Sequence, residues 1–95
     1  MIDISIVIPV RNEAATLREL VARLTAVMQA LTVTHEIVFV TDINTDDTCA
    51  VLRDLHRRDA RVKSLKLSNA FGHHAAVYAG MAKARGAAVV IMDGD

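Results

Sequence analysis

Two carboxylates separated by one glycine, Asp93-Gly94-Asp95, stand directly after the apolar run "AAVVIM" in this 95-residue sequence. In extended backbone, residues two apart point to the same side, so both carboxylates can converge on one cation. Carboxylate oxygens are hard ligands that hold Mg²⁺ or Mn²⁺, and such an ion can bridge to phosphate oxygens. The same residues also suit an ordinary turn at the end of a strand, because Asp and Gly favour turns. Both interpretations are open at this point.

Further acidic residues follow two other apolar runs. Glu13 comes after "ISIVIP", and Asp42, Asp46 and Asp47 come after "EIVFV". Carboxylates repel a diphosphate directly, so this acid predicts a metal-nucleotide site, and it can also accept hydrogen bonds from a base N–H or from ribose hydroxyls. The sequence has no GxGxxG after its first strand and no GxxxxGK[ST], which disfavours NAD enzymes and P-loop NTPases.

Hydrophobic periodicity predicts four strands that alternate with three helices. The predicted strands are Ile4 to Pro9, Glu36 to Val40, Val62 to Leu67 and Ala87 to Met92. The first helix carries an apolar stripe from Leu17 to Leu31 at three- and four-residue spacing. Thr45 or Asp46 is predicted to cap the second helix, and Gly86 is predicted to end the alanine-rich third. The order is therefore β-α-β-α-β-α-β.

Strands that are apolar on both faces and alternate with helices predict an α/β fold, a Rossmann-like parallel sheet with helices on both faces. We expect the first strand to lie centrally, with the second and third on one side and the fourth on the other. Ligands bind such sheets at the carboxyl edge, where the strand order reverses. Asp93 would then face the loop that follows Pro9. Tyr78 and Met81 are predicted to pack in the core.

Composition excludes several partners. Eleven basic residues balance eleven acidic ones with no long run of either sign, which predicts neither a nucleic-acid partner nor an anionic membrane partner. Arg53, Arg57, Arg58 and Arg61 are read as a solvated helix face. The single cysteine, Cys49, cannot form an internal disulfide, which favours a cytoplasmic location. No secretory leader is expected, and no apolar run approaches the ~20 residues that span a bilayer.

Successive segments resemble the signature segments of the family 2 inverting glycosyltransferases of the GT-A fold, most closely the polyprenol-phosphate or dolichol-phosphate mannose or glucose synthases. These segments are "SIVIPVRNEAATL", "EIVFVTDINTDDT" and "NAFGHHAAVYAGMAKARGAAVVIMDGD", in the family's order from Ile4 to Asp95. The resemblance implies transfer of a hexose from a UDP- or GDP-sugar to a polyprenyl phosphate or another lipid or glycan acceptor. It also implies a role in cell-envelope glycan biosynthesis at the cytoplasmic face of the membrane.

The same resemblance implies roles for particular residues. Asp93 and Asp95 match the family's DxD motif, which binds Mg²⁺ or Mn²⁺ and, with Gly94, the sugar nucleotide. The other implied nucleotide-sugar contacts are Pro9, Arg11 and Glu13 in the first loop and Val40 and Asp42 at the second. Two alternatives stay open. Glu13 also suits a first-turn acid favoured by the helix dipole, and Arg11 can pair with a phosphate or with Glu13 or Asp42.

The sequence departs from the family in one loop. "VTDINTDDT" stands where the family has a segment close to "VDDGSTDGT", so the β-branched Ile43 replaces a glycine that takes positive φ cheaply. The resemblance further implies that the acceptor pocket and the catalytic base lie beyond Asp95. Residues 1–95 are thus expected to form one partial GT-A domain, the donor-binding half, with no catalytic residue of its own.

Two other functions are open on the residues alone. The chain can be a metal-dependent nucleotide-binding module without turnover. It can also be an assembly unit, because an apolar fourth strand with an unpaired edge invites pairing with a second copy.

Overall fold

The computed structural model of the chain describes residues 1–41, 47–67 and 73–92, except the side chains of residues 73 and 74. Its elements are β1 (Ile4–Val10), α1 (Ala14–Ala30), β2 (His35–Thr41), α2 (Thr48–Arg58), β3 (Val62–Lys66), α3 (His73–Lys83) and β4 (Ala88–Ile91). This is the predicted order, and each strand end lies within one residue of its predicted position. Among the described helices, none combines the length and the apolarity that crossing a bilayer requires.

The four strands form one parallel sheet in the order β3-β2-β1-β4. The Rossmann-like sheet is therefore confirmed, with β1 central and the strand order reversing between β1 and β4. Ile4 of β1 is in register with His35 on one side and Ala88 on the other. Two strands thus reach the carboxyl edge immediately beside β1.

The sheet is covered on both faces, which explains why its strands read as nearly continuous apolar runs. Ile6 and Ile8 of β1 face the larger cluster, which includes Leu17 of α1 and Leu52 and Leu55 of α2. The opposite face carries a smaller cluster under α3, formed by Val7, Val38, Val40 and Ala76. Alternation along each strand therefore divides the core between two helical layers.

Two predicted helix ends are wrong. The N-cap of α2 is Asp47, which makes no side-chain capping hydrogen bond, so the cap is neither Thr45 nor Asp46. The third helix ends at Lys83, before Gly86, and the Ala84 N–H donates to the carbonyl of Gly80 at 3.0 Å in its last turn. Gly86 is needed instead for close approach, because a Cβ there would lie 2.6 Å from both the main-chain N and the Oγ of Ser5.

The predicted burial of Tyr78 and Met81 is also wrong. Tyr78 is 74% exposed and Met81 is 45% exposed. The face of α3 that meets the sheet carries Ala76 and Gly80, and a Cβ on Gly80 would overlap Val7. At 3.6 residues per turn, positions 78 and 81 lie on the other side of the helix from 76 and 80. Small residues bring α3 close to the sheet, so its large ones face outward.

A buried carboxylate fastens the amino end of the sheet. Glu36 of β2 is 1% exposed, and its Oε2 accepts hydrogen bonds from Ser5 Oγ at 2.5 Å and from the Arg85 N–H at 2.6 Å. Lys63 Nζ of β3 donates to Oε1 at 2.7 Å. The Gly86 N–H completes the group by donating to Ser5 Oγ at 2.7 Å. One side chain thus links β1, β2, β3 and the connection that leads into β4.

These contacts keep Glu36 ionised. Burial by itself raises the pKa of the carboxyl, but the hydrogen bonds from Lys63, Ser5 and Arg85 outweigh it and lower the pKa to about 2. The neighbouring His35 is 3% exposed, and burial followed by the nearby charge of Arg61 lowers its pKa. Its Nε2 has no hydrogen-bond partner within the described part of the chain. Both groups make the fold sensitive to acid.

Acid titration tests the Glu36 contribution. A carboxyl whose folded pKa is depressed stabilises the fold above its unfolded pKa, and that stability is lost as the pH falls through the folded value. For a folded pKa of about 2, we expect Glu36 to contribute about 3 kcal/mol at neutral pH and to lose it between about pH 5 and pH 2. Urea unfolding at a series of pH values measures this loss.

Glu36→Gln should remove most of that pH dependence. Glu19→Gln is the matched control, because the Glu19 side chain is 68% exposed and forms a surface ion pair of little weight with Arg23. A Glu36→Gln variant with the wild-type dependence of unfolding free energy on pH would contradict this assignment.

Gly86→Ala tests the close approach to β1. We expect a loss of about 1–3 kcal/mol in unfolding free energy, because the added methyl overlaps the backbone and hydroxyl of Ser5. Thermal unfolding is the measurement, and Ala87→Ser at the exposed next residue should change stability by less than about 0.5 kcal/mol. Unchanged stability of Gly86→Ala would show that the connection before β4 tolerates displacement.

Candidate functional site

All four strands end at the same edge of the sheet. Val10 at the end of β1 is in register with Thr41 at the end of β2, and Val7 is in register with Ile91 near the end of β4. The strand order reverses between β1 and β4, and open α/β sheets bind their ligands in a crevice beyond the carboxyl ends of the strands at such a reversal. The predicted position of a ligand site at this edge follows from the observed topology.

Pro9 ends the hydrogen bonding that β1 can offer to β4. The carbonyls of Asp3 and Val7 accept hydrogen bonds from the N–H groups of Ala88 and Met92, each at 3.0 Å, so odd positions of β1 face β4. Pro9 is the next odd position, and it has no N–H. β1 therefore offers no further donor to the residues that follow Met92.

The loop after β1 is tied to the start of α2. Glu13 is the N-cap of α1, and its N–H donates to Thr48 Oγ1 at 3.0 Å. Thr48 is the first residue of α2 and is fully buried. Asn12 has a φ of 54°, a left-handed conformation that asparagine adopts more readily than most residues. Arg11, the residue before Asn12, is exposed.

The Glu13 carboxylate lies at the beginning of α1. Its Oε2 is 3.5 Å from Thr16 Oγ1, and the Thr16 hydroxyl also approaches the Glu13 carbonyl at 3.2 Å. This position suits a residue that complements the positive end of the helix, and it also borders the crevice. Both interpretations of Glu13 therefore remain compatible with its placement.

Pro9 and Val40 lie side by side, in register on neighbouring strands. Val40 is only 1% exposed and packs with Val7, Val38 and Ala76 beneath α3. The side chain of Val40 is therefore not accessible to a base. The two residues place the ends of β1 and β2 together at the predicted nucleotide position.

Several predicted site residues lie outside the described residues: Asp42, Asp46, Asp93, Gly94 and Asp95, together with Ile43 in the altered loop. In the chain, Asp42 follows the last residue of β2 and Asp93 follows Met92 directly. Within residues 1–41, 47–67 and 73–92, no group of three or more His, Cys, Asp or Glu could hold a metal. The carboxylates that follow the strand ends supply the hard oxygen donors that Mg²⁺ and Mn²⁺ prefer. Their roles stay predictions.

Sequence reasoning missed Thr48. Its hydroxyl joins the loop after β1 to the start of α2, and so connects two of the segments that border the crevice. The only signal was its position at the end of "TDINTDDT". A threonine at the start of a helix is ordinarily interpreted as a helix cap. The sequence does not reveal its actual hydrogen-bond partner, because that partner lies 35 residues away in the chain.

Comparison with known sequences gives a consistent result. The sequence model of "Glycosyl transferase family 2" matches residues 5–95. The uncharacterized glycosyltransferase YkcC of Bacillus subtilis (strain 168) is 40% identical over 94 residues, which are 99% of this chain and 29% of YkcC. The undecaprenyl-phosphate 4-deoxy-4-formamido-L-arabinose transferase of Pseudomonas fluorescens (strain SBW25) is 39% identical over 93 residues, which are 97% of this chain and 27% of that enzyme. The chain thus spans less than a third of the length of these relatives.

Solved structures show the same fold. The mannosyltransferase PcManGT from Pyrobaculum calidifontis, in complex with GDP-Man and Mn²⁺, superposes with a TM-score of 0.77 at 22% identity, over 97% of this chain and 27% of that one. S. aureus TarS 1-349 in complex with UDP-GlcNAc superposes with a TM-score of 0.78 at 23% identity, over 99% of this chain and 27% of that one. The parallel sheet described above is therefore that of GT-A glycosyltransferases.

Proposed function

The chain belongs to glycosyl transferase family 2, and on that premise we propose that it forms the nucleotide-sugar-binding half of a glycosyltransferase. The observation that carries the proposal is the reversal of strand order between β1 and β4, with Pro9 near the end of β1 and Ile91 at the end of β4 on neighbouring strands. Open α/β sheets bind their ligands at this position. The acidic residues that follow β2 and β4 in the chain give the crevice the donors for a metal and a nucleotide.

The proposed reaction is transfer of a hexose from a UDP- or GDP-sugar to a polyprenyl phosphate or another lipid or glycan acceptor. An acceptor oxygen forms a bond to the anomeric carbon from the face opposite the departing diphosphate, so the configuration inverts. The relative that uses undecaprenyl phosphate supports a lipid-phosphate acceptor. The neighbours solved with UDP-GlcNAc and GDP-Man support both donor classes.

We assign the metal to Asp93 and Asp95, and the nucleotide to Pro9, Arg11, Glu13, Val40, Asp42 and Gly94. When bound, Mg²⁺ or Mn²⁺ neutralises charge that develops on the diphosphate leaving group. The Mn²⁺ in the neighbouring mannosyltransferase structure supports this metal class. We further propose that the acceptor pocket and the catalytic base lie outside residues 1–95, since the chain spans less than a third of its relatives.

Calorimetric titration with UDP and with GDP, each in Mn²⁺ and in EDTA, tests the donor site. We expect Mn²⁺-dependent binding of one nucleotide, and a loss of about tenfold or more in affinity for Asp93→Asn combined with Asp95→Asn. Glu19→Gln combined with Asp59→Asn removes the same charge elsewhere and should leave the affinity unchanged. Binding that is equally strong in EDTA, or unaffected by the first pair, would contradict the assignment.

The alternative function for the same site is a module that binds the nucleotide but catalyses no reaction. It shares the nucleotide binding but predicts that neither transfer nor hydrolysis of the sugar accompanies it. A radiolabelled-sugar assay on a longer chain that includes the acceptor pocket and the catalytic base therefore separates binding alone from turnover.

A homodimer through β4 is a second candidate, because β4 is an outer strand of the sheet. Three consecutive apolar side chains on it are well exposed: Val89 at 39%, Val90 at 45% and Ile91 at 45%. Exposed apolar edges pair readily with another strand, and two copies related by a two-fold axis would make a continuous sheet.

Sedimentation tests this pairing. We expect a concentration-dependent monomer–dimer equilibrium that Val90→Lys shifts to monomer, because a charged side chain opposes edge pairing. Val27→Lys on α1 is the control, since Val27 is 52% exposed but lies away from the edge. A chain that stays monomeric at every concentration would overturn the dimer proposal and leave the donor-site proposal untouched.

A further inference from the structure

The zero net charge of the chain conceals a strong asymmetry. Residues 53–85 contain eight of the eleven basic residues but only two of the eleven acidic ones, Asp54 and Asp59. This span covers most of α2, all of β3 and the end of α3. The fold brings these three elements together at the β3 side of the sheet, because β3 is the outer strand there.

A groove of about 630 Å³ lies at this side of the molecule. Its lining residues are Arg53, His56, Arg57, Lys63, Ser64 and Lys83. They come from the second half of α2, the first half of β3 and the last residue of α3, so the groove lies toward the amino end of the sheet. The candidate donor site lies at the carboxyl edge, so the groove is a separate feature.

Three cations of the groove have no ion-pair partner among the described residues. Asp54, the nearest acid on α2, is occupied by Arg18 at 2.7 Å and Arg58 at 3.1 Å. Asp59 pairs with Arg61, and Glu36 pairs with Lys63. The remaining groove cations are Arg53, Arg57 and Lys83. Residues one turn apart repel when they carry like charges, as Arg53 and Arg57 do on α2, and Arg57 attracts Asp54 without forming an ion pair with it.

Helix dipoles explain only part of this pattern. Arg57 and Lys83 lie in the last turns of α2 and α3, where a cation is favourable. Arg53 lies in the middle of α2, and it reaches the same groove as a cation from a helix on the opposite face of the sheet. Compensation of the helix dipoles does not explain why cations from α2 and α3 line the same groove.

We propose that this groove binds a phosphate or diphosphate group. Arginine offers a planar fork of N–H donors that matches phosphate oxygens, and several converging cations favour a multiply charged anion. The volume is that of an ordinary small-molecule site. Ser64 adds a hydroxyl donor, and the contact between His56 Nδ1 and the Val62 carbonyl at 2.6 Å fixes the ring at the groove wall. No metal is required, which distinguishes this site chemically from the donor site.

Titration with pyrophosphate in EDTA tests the site without nucleotide or divalent metal. We expect saturable binding that weakens as salt is added, and a loss of about tenfold or more in affinity for Arg53→Glu combined with Arg57→Glu. Arg53→Gln combined with Arg57→Gln should lose less, and it provides a milder variant if charge reversal prevents folding. Circular dichroism checks that each variant is folded.

Arg23→Glu combined with Arg58→Glu is the matched control. It makes the same change in net charge, and both side chains are highly exposed outside the groove, at 77% and 74%. It should bind pyrophosphate within about twofold of the wild type. An equal loss in the control and groove variants would overturn the proposal, because binding would then follow net charge alone. Absence of binding both to pyrophosphate and to the vesicles described below would overturn it as well.

A second experiment shows whether the phosphate group belongs to a phospholipid headgroup or to a free phosphorylated molecule. Vesicles of phosphatidylglycerol are compared with vesicles of phosphatidylcholine in a co-sedimentation assay. Selective capture by phosphatidylglycerol that is lost in the groove variant but kept in the control identifies a phospholipid headgroup. Pyrophosphate binding without vesicle capture identifies a free phosphorylated molecule. The Asp93→Asn, Asp95→Asn pair should bind pyrophosphate like the wild type, so failure of the donor site and failure of the groove are distinguishable.

Discussion

The buried carboxylate of Glu36 is the interaction on which the arrangement of this sheet depends. An ionised carboxyl with 1% exposure is costly unless its oxygens are fully hydrogen-bonded, and here three donors from β1, β3 and the segment before β4 meet it. Removing any one of these elements would leave the buried charge with one donor fewer. The fold is therefore committed to one placement of β4 beside β1, and that placement creates the reversal of strand order.

The two ends of the sheet have different physical tasks. The amino end is closed, because Glu36, Ser5 and the glycine at position 86 fit together within hydrogen-bonding distance. At the carboxyl end, Pro9 withholds a donor from the β4 side and the chain takes a left-handed conformation at Asn12. A rigid end thus supports an end at which loops can contact a ligand, the usual division of labour in proteins whose loops bind on a fixed scaffold.

Charged residues are also distributed unequally along the sheet. Acidic residues follow β1, β2 and β4 in the sequence, whereas cations of α2 and α3 that lack an ion-pair partner among the described residues line the outer side of β3. The zero net charge therefore does not describe the local charge that an ion would meet at the basic groove or beside the acidic residues. Local surface charge, and not the overall balance, governs such contacts because screening by salt limits their range to about 10 Å.

The sequence by itself determined the element order, the parallel sheet with β1 at its centre, and the family, because β-branched runs alternating with helical periods have few compact solutions. It also placed Pro9, Arg11 and Glu13 at the carboxyl edge, because Pro9 ends the predicted first strand and the other two residues follow it in the loop. Only the tertiary structure decided which side chains meet across the chain. Glu36 meets Ser5 and Lys63, Glu13 meets Thr48, and Arg53 and Lys83 share a groove, at separations of 27 residues or more. The prediction that Tyr78 and Met81 pack in the core was wrong. It favoured large apolar residues for burial, whereas the close approach of α3 to the sheet required small ones. Local patterns specify elements, and contacts between elements depend on packing distances that no local pattern contains.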